Sequence, residues 1–238
     1  MIPFVVGAAL LQTVAAAPVP FAVGETYEYS AHYLLTSVGG TTMTVVGIDT
    51  VRGQPSWHLL LTTKISVLWY KNDSRLESWT SVKDFVSRRF IHVVNENGKQ
   101  YSNDDFQIHG DSGFFRNHAD TLTKPTPHDA LDDLAFIYYI RTMDFKDGET
   151  YQLRKYFQQD HNPVIVTVLG HDTLEMPDGS RRRCWVVGLL MNDSGMFSKK
   201  ADAKLWLSDD GVRIPMQIKS HYGPATVILS LKRISRTQ

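Results

Sequence analysis

A chain of 238 residues with 25 basic and 25 acidic side chains carries no net charge, which excludes an overall electrostatic field that holds nucleic acid. Its length and its apolar content of 42% are enough for a sizeable core, so a β-rich chain of this size forms one domain without division. The one cysteine, Cys184, has no intramolecular disulfide partner, and we interpret it as a small buried apolar side chain.

The first seventeen residues have the composition of a secretory signal peptide. An apolar run over residues 2–11 precedes several small side chains, and we expect cleavage between Ala16 and Ala17. The run is too short to span a membrane, and it lacks the lysine or arginine that usually precedes it. We therefore predict a signal peptide over residues 1–17, removed on export, and a single β-rich domain over residues 18–238 in the periplasm or cell envelope.

Alternation of apolar and polar residues between turn formers is the dominant pattern of the chain, and it predicts half-buried antiparallel strands. Near the start of the domain, one face of such a strand carries apolar side chains over residues 27–35. Near the end, the same alternation recurs over residues 212–219 and again over residues 225–232. Pro215 interrupts the first of these two strands; because proline donates no amide hydrogen, we expect an edge position or a bulge there.

The period changes near residues 129–142, where apolar side chains take up helical spacing. Asp129 is the expected N-cap, and Asp132 and Asp133 suit the positive end of a helix. A helix that is apolar on most sides is buried on most sides. The sequence therefore predicts an all-β fold, a strongly curved antiparallel sheet or open barrel of about ten strands, with one embedded helix that acts as a plug or lid.

Three segments, taken in order, resemble the bacterial exported domain-of-unknown-function family 3108. They are a Phe and Gly-Glu element that leads into an aromatic strand at residues 21–29, a helix motif at residues 131–142, and a hairpin at residues 205–216. The resemblance spans nearly the whole mature chain. It implies an exported β-rich domain, and it supplies no catalytic residues to transfer because the activity of the family is unassigned.

Tyrosine, tryptophan and large aliphatic side chains on alternating faces favour a non-catalytic envelope module with an apolar cavity. Such a cavity, closed by the helix, suits a lipid or another amphipathic small molecule, or an envelope protein partner. The same side chains are equally suited to filling a core that contains no cavity. The expected ligand-binding residues are Tyr29, Tyr33, Trp57, Leu59, Leu61, Phe136, Tyr139, Met216 and Ile218.

Two alternatives stay open. The first is a hydrolase-type enzyme centred on the loop at residues 109–128, where the sequence Gly-Asp-Ser-Gly resembles the nucleophile turn of serine proteases. The same four residues are also ordinary turn formers. The second alternative is an outer-membrane barrel or a structural envelope protein, because the strands of outer-membrane barrels show the same alternation of apolar and polar residues as this sequence.

Motifs for cofactors and metals are missing from the sequence. His118 and His128 lie on either side of the proline-rich part of the 109–128 loop, but the helix carries no His-x-x-x-His spacing, and no glycine-rich phosphate loop follows a strand. We therefore predict no cofactor, no metal, no nucleic-acid partner and no transmembrane helix in the mature chain. A non-catalytic role is favoured over an enzymatic one.

Overall fold

One antiparallel sheet of fourteen strands makes up most of the described chain, which in this computed structural model comprises residues 19–191, 203–222 and 225–236. The predicted signal peptide at residues 1–17 lies outside the described residues. The α-helix of this part of the chain is α1 (Asp133–Ile140). The strands are β1 (Glu25–Tyr33), β2 (Thr36–Val51), β3 (Gln54–Val67), β4 (Tyr70–Ser81), β5 (Ser87–Glu96), β6 (Lys99–His109), β7 (Phe114–Asn117), β8 (Lys124–Pro125), β9 (Thr150–Leu153), β10 (Val164–Glu175), β11 (Arg181–Leu190), β12 (Ala203–Ser208), β13 (Pro215–Tyr222) and β14 (Ala225–Arg236).

The strand order is β8-β7-β6-β5-β4-β3-β2-β1-β14-β13-β12-β11-β10-β9. Because β1 pairs with β14, the first and last strands of the domain meet in the middle of the sheet. The two edge strands, β8 and β9, do not pair with each other, so the sheet is not closed into a barrel. The predicted fold class, a curved antiparallel sheet or open barrel with one embedded helix, is confirmed.

The sheet has fourteen strands where the sequence predicted about ten. Two of the additional strands, β7 and β8, lie in the segment predicted as an irregular loop at residues 109–128. β8 has only two residues, and one of them is a proline, which cannot donate to a ladder. Strands this short show no recognisable alternation, so the sequence pattern does not reveal them.

The segment between β8 and α1 bridges the two open edges of the sheet. Thr126, just after β8, donates its hydroxyl to the Phe157 carbonyl at 2.7 Å. The Leu131 amide donates to the Lys155 carbonyl at 2.6 Å, and the Phe157 amide donates to the Leu131 carbonyl at 3.0 Å. Because residues 155–157 follow β9, these backbone bonds satisfy polar groups at the opening and hold the start of the helix in place.

The helix begins later than predicted. Asp132, not Asp129, is the N-cap, and its Oδ1 accepts a hydrogen bond from the Ala135 amide at 2.9 Å. The backbone of Ala130 and Leu131 is already paired with neighbouring strands and loops, so these residues are not available for a first helical turn. Six of the eight helical residues are buried, which confirms that the helix is embedded; the buried residues are Leu134, Ala135, Phe136, Ile137, Tyr138 and Ile140.

Along the strands, buried and exposed side chains alternate as predicted, except at strand ends. Tyr27, Tyr29 and Ala31 of β1 face the core and are buried. Leu35, predicted on the same face, is fully exposed because β1 ends at Tyr33 and Leu35 lies in the following turn.

The predicted strand at residues 212–219 also differs at its start. Val212 lies in the turn before β13 and is 42% exposed. The strand begins at Pro215, and the pairing of β12 with β13 shifts register where Leu207 meets this proline. The expectation of a bulge at Pro215 is therefore confirmed, and its position as the first strand residue spares a ladder bond.

Gly39 is required by the close approach of β2 to β3. Its φ is +136°, and a Cβ at this position would lie 2.0 Å from the Lys64 carbonyl oxygen. We expect Gly39→Ala to lower the free energy of unfolding by about 2–3 kcal/mol, measured by urea denaturation. Gly53→Ala is the matched control, because Gly53 has φ +75° but nothing within 4 Å of an added Cβ. Equal losses for the two variants would contradict the steric explanation.

Candidate functional site

The nine residues predicted to bind a ligand lie in or against one continuous apolar core. Seven of them are buried, and Tyr33 and Tyr139 are half-buried at the border of the core. Tyr29 donates its hydroxyl to the Pro215 carbonyl at 2.8 Å, and burial raises the pKa of this phenol well above its usual value. Met216 differs from the others because it also borders a cleft at the surface.

This cleft lies between the end of the β10–β11 hairpin and the strands β13 and β14. Its volume is about 280 Å³. Apolar side chains from the hairpin and from both strands form one part of the lining, and polar side chains form the rest. The apolar residues are Leu174, Met176, Pro177, Met216 and Leu231, and the polar residues are Glu175, Gln217 and Ser230. A lining of this kind offers an apolar contact surface with a few hydrogen-bonding groups beside it.

The turn of the β10–β11 hairpin is held by its own hydrogen bonds. The Met176 amide donates to the Ser180 carbonyl at 2.8 Å, and the Gly179 amide donates to the Met176 carbonyl at 2.9 Å. Asp178 accepts from the amide and the hydroxyl of Ser180, which lowers the pKa of its carboxyl group. These bonds fix the position of Met176 and Pro177 at the cleft.

Sequence reasoning identified Met216 but missed the hairpin side of the cleft. Leu174 and Met176 precede a Pro-Asp-Gly turn, and both pack against the core although they lie near exposed residues. The sequence feature that indicates this side of the cleft is an apolar residue, Met176, directly before the turn former Pro177. The alternation along β10 does not indicate which distant strands the hairpin end will contact.

The loop proposed for a hydrolase forms one turn of 3₁₀ helix, at Gly110–Ser112, between β6 and β7. His128 places its Nδ1 2.7 Å from the Gly110 carbonyl, so this nitrogen donates to the backbone and not to a serine. A Cβ on Gly110 would meet the His128 carbonyl at 2.5 Å, which explains the glycine. Within the described residues Ser112 makes no hydrogen bond to a histidine. The glycines and the serine act here as turn formers.

A buried polar cluster surrounds Asp132 at the start of α1. The hydroxyls of Ser78 and Ser87 donate to its Oδ2 at 2.6 and 2.7 Å. The Ser87 hydroxyl also accepts the Asp132 amide at 2.9 Å. Burial raises the pKa of Asp132 to about 6, and the hydrogen bonds from Ser78, Ala135 and Ser87 counteract part of that rise. This cluster anchors the helix to β4 and β5.

A second buried polar cluster surrounds Arg141 just after α1. Its side chain is fully buried and donates to the carbonyls of Pro20 and Val212, at 2.8 and 3.3 Å, and to the Tyr27 hydroxyl at 3.1 Å. Its Nη2 also lies 3.3 Å from Glu25 Oε1. Arg141 therefore joins the helix to the N-terminal segment, to β1 and to the turn before β13.

Histidines on the sheet pair with carboxylates. His58 lies 3.1 Å from Asp49 and 2.7 Å from Glu77, and its ring stacks on Trp79 at 4.5 Å. Sequence reasoning missed this cluster because its members come from three separate strands. Among the residues that the structure describes, no group of three histidine, cysteine or acidic side chains could hold a metal ion.

Cys184 is buried in β11, as predicted, and burial raises the pKa of its thiol to about 11. The thiol is therefore protonated at neutral pH and is a poor nucleophile. In the described ranges, none of the helices has both the length and the apolar character needed to cross a membrane.

The fold defines the class of this protein as a mostly β module with one open antiparallel sheet and an internal helix. Residues 28–230 match the family described as "Protein of unknown function (DUF3108)". The chain belongs to this family, as its three motifs predicted. A comparison with curated proteins gives no match.

The solved structures that this chain matches come from several bacteria. The chain resembles a β-barrel-like protein of domain of unknown function DUF1849 from Brucella abortus with a TM-score of 0.57 and 8% identity, over 94% of this chain and 100% of that chain. At this identity the similarity concerns the fold alone. A protein from Bacteroides fragilis described as exported, with a YmcC-like fold, gives a TM-score of 0.31 at 11% identity over 93% of this chain and all of that one. A Parabacteroides distasonis protein described as a lipoprotein gives 0.28 at 10% identity, over 91% of this chain and 98% of that chain.

Proposed function

We propose that this protein is a non-catalytic module of the cell envelope that binds the apolar part of an amphipathic small molecule in the cleft between the β10–β11 hairpin and β13–β14. The observation that supports the proposal is the lining of this cleft. Leu174, Met176 and Leu231 offer apolar contact, and Gln217 and Ser230, which are directly opposite each other on β13 and β14, offer hydrogen bonds.

The size of the cleft limits the ligand. A volume of about 280 Å³ lies just below the range for ligand pockets, which is roughly 300–1,000 Å³. The cleft therefore suits one short apolar segment, such as part of an acyl chain, with the polar group of the ligand in solvent. In this proposal Met216 contacts the ligand, and the other eight predicted residues form the rigid core behind it.

The proposed location rests on the sequence. Residues 1–17 combine an apolar run with small residues suited to cleavage, which favours export. An exported protein with one buried cysteine depends on its apolar core for stability, and the described core is large and continuous. An amphipathic ligand is plentiful in the envelope, where lipids are made and moved.

Filling the cleft should weaken ligand binding. Met176 is half-buried at the hairpin turn, so Met176→Trp adds an indole to the cleft with little disturbance of the core. We expect this variant to bind a fluorescent fatty-acid analogue at least about tenfold more weakly than the wild type, a loss of about 1.4 kcal/mol. The measurement is a fluorescence titration with displacement by unlabelled fatty acid.

Leu169→Trp is the matched control for this experiment. Leu169 is on β10, the strand that leads to Met176, is 51% exposed and does not line the cleft, so its replacement should leave the affinity unchanged. Unaltered affinity in Met176→Trp would reject the cleft as the binding site. Native mass spectrometry of protein purified from its own envelope gives a second reading, and a wild type that carries no lipid and binds no analogue would reject the proposal itself.

A further inference from the structure

Two neighbouring hairpin turns carry large apolar residues where turn formers are expected. The β1–β2 turn consists of Leu34 and Leu35, and the β3–β4 turn consists of Leu68 and Trp69. Their exposed fractions are 81% and 101% in the first turn, and 58% and 75% in the second. Glycine, asparagine and aspartate ordinarily occupy two-residue hairpin turns.

The first residue of each turn also has an unfavourable backbone conformation. Leu34 has φ +54° and Leu68 has φ +55°, in the left-handed region that leucine rarely adopts. The β5–β6 turn provides the comparison, because it uses Asn97 and Gly98 at φ +51° and +78°. The β5–β6 turn therefore has ordinary turn residues, and the two apolar turns do not. Departures that cost both conformational and solvation free energy are characteristic of functional positions.

The two apolar turns lie side by side at one end of the sheet. Gly39 of β2 pairs with Ile65 of β3. Leu35 lies four residues before Gly39 and Leu68 lies three residues after Ile65, so the two turns reach nearly the same level. The hairpins are adjacent in the strand order, so their centres are separated by two strand spacings, about 10 Å. Tyr101, next to the β5–β6 turn at the same end, is 72% exposed.

Positive charge accompanies these apolar residues. Lys71 and Lys99 are exposed beside the β3–β4 and β5–β6 turns, and neither forms an ion pair within the described residues. Of the nearby acids, Asp73 lies 3.7 Å from Lys64, and Glu96 accepts the Tyr70 hydroxyl at 2.7 Å, a hydrogen bond that leaves the Glu96 charge in place. This combination of residue types is suited to a bilayer surface. Leucine side chains enter the acyl region, tryptophan and tyrosine favour the interface, and lysine pairs with anionic headgroups.

We propose that this end of the protein docks on the surface of an anionic lipid bilayer, with Leu34, Leu35, Leu68 and Trp69 inserted at the boundary between the headgroups and the acyl chains. The docking surface consists of these four residues together with Tyr101, Lys71 and Lys99. It is separate from the cleft, so membrane docking and ligand binding can be tested independently. A docked module would present its other end, with α1 and the β10–β11 hairpin, to the aqueous side.

The test replaces both apolar turns with ordinary turn residues. A variant with Leu34→Gly, Leu35→Asn, Leu68→Gly and Trp69→Asn removes the apolar side chains and relieves the positive-φ leucines, so its melting temperature should equal or exceed that of the wild type. In co-sedimentation with vesicles of phosphatidylethanolamine and phosphatidylglycerol, we expect this variant to bind at least about tenfold more weakly. Misfolding cannot explain a loss of binding in a variant of unchanged or higher stability.

Two further measurements address the chemistry of the contact. Lys71→Ala and Lys99→Ala should each weaken vesicle binding by about fivefold, and vesicles of phosphatidylcholine alone should bind less protein. Trp69 fluorescence should shift to shorter wavelength on addition of anionic vesicles, and the four-residue variant should lose this shift. Ile48→Asn is the control, because Ile48 is 50% exposed but lies near the opposite end of β2 and β3.

Three results would overturn the proposal. They are a wild type that does not sediment with anionic vesicles, a four-residue variant that sediments as the wild type does, and a wild-type dimer that dissociates in the variant without any vesicle binding. The last result would assign the surface to a second copy of the chain. Met176→Trp should retain vesicle binding, so failure of the ligand proposal would leave this one intact.

Discussion

Asp132→Ala is expected to lower the free energy of unfolding by about 3 kcal/mol at pH 7. The substitution removes the N-cap of α1 and leaves the Ala135 amide and the hydroxyls of Ser78 and Ser87 without their acceptor. Loss of a cap costs about 1 kcal/mol, and each buried donor left unpaired adds about 1–3 kcal/mol, partly offset by the removal of a buried charge. Urea denaturation followed by circular dichroism measures the change.

The same residue should make stability depend on pH. Burial raises the pKa of Asp132 from its ordinary 3.8 to about 6, so between these values the folded chain binds more protons than the unfolded chain. Stability from this group is therefore complete below pH 4 and is lost as the pH rises through 6. A shift of this size corresponds to about 3 kcal/mol.

Asp132→Asn should remove this pH dependence, because asparagine does not titrate. Asp129→Asn is the control, since Asp129 is exposed and pairs with Lys155. His92, whose pKa is lowered by burial, contributes an opposite slope that all these proteins share. The comparison requires urea denaturation of each variant at several values between pH 4 and pH 7. An Asp132→Asn variant with the slope of the wild type would show that Asp132 is not the group responsible.

The position of Asp132 also shows how much of the fold could be predicted from the sequence. Its acidic neighbours and the helical spacing of apolar residues predicted a buried helix in this region, and the helix is there. The N-cap was placed three residues too early, because Asp129 and Asp132 are equally good caps by residue type. The choice between them depends on Ser78 and Ser87, which lie 54 and 45 residues earlier in the chain. A local pattern contains no information about such distant partners.

The candidate site was predictable to a smaller degree than the fold. Met216 was identified because it alternates with polar residues on β13, and alternation is a local property. The rest of the cleft arises where the end of a hairpin contacts β13 and β14, a contact that follows only from the tertiary structure. The apolar turns were missed for a related reason. Leu34 and Leu35 continue the apolar character of β1 without a turn former, so the pattern extended the strand past its actual end at Tyr33.

Arg141→Met should also be strongly destabilising, by about 3–4 kcal/mol. The side chain of Arg141 is fully buried, and its removal takes a donor from the carbonyls of Pro20 and Val212, from the Tyr27 hydroxyl and from the Glu25 carboxylate, which keeps the hydrogen bond from the Ala22 amide. Breaking a buried ion pair by removing one partner costs about 3–5 kcal/mol, because the other charge stays buried. Arg233→Met is the control, since Arg233 forms an exposed ion pair with Glu28, and its loss should leave stability close to that of the wild type.

The local consequence of the Arg141 substitution distinguishes a specific anchor from a general packing effect. Arg141 holds Pro20 and Glu25, so its loss should release the segment before β1, and hydrogen exchange at residues 21–25 should accelerate before that of the sheet does.

Adding Glu25→Gln to Arg141→Met removes the unpaired carboxylate, so the double variant should recover part of the lost stability, with a coupling energy of at least about 1 kcal/mol. Additive losses in this double-mutant cycle would mean that the 3.3 Å contact between the two side chains contributes nothing, and that Arg141 acts only through the backbone carbonyls and Tyr27.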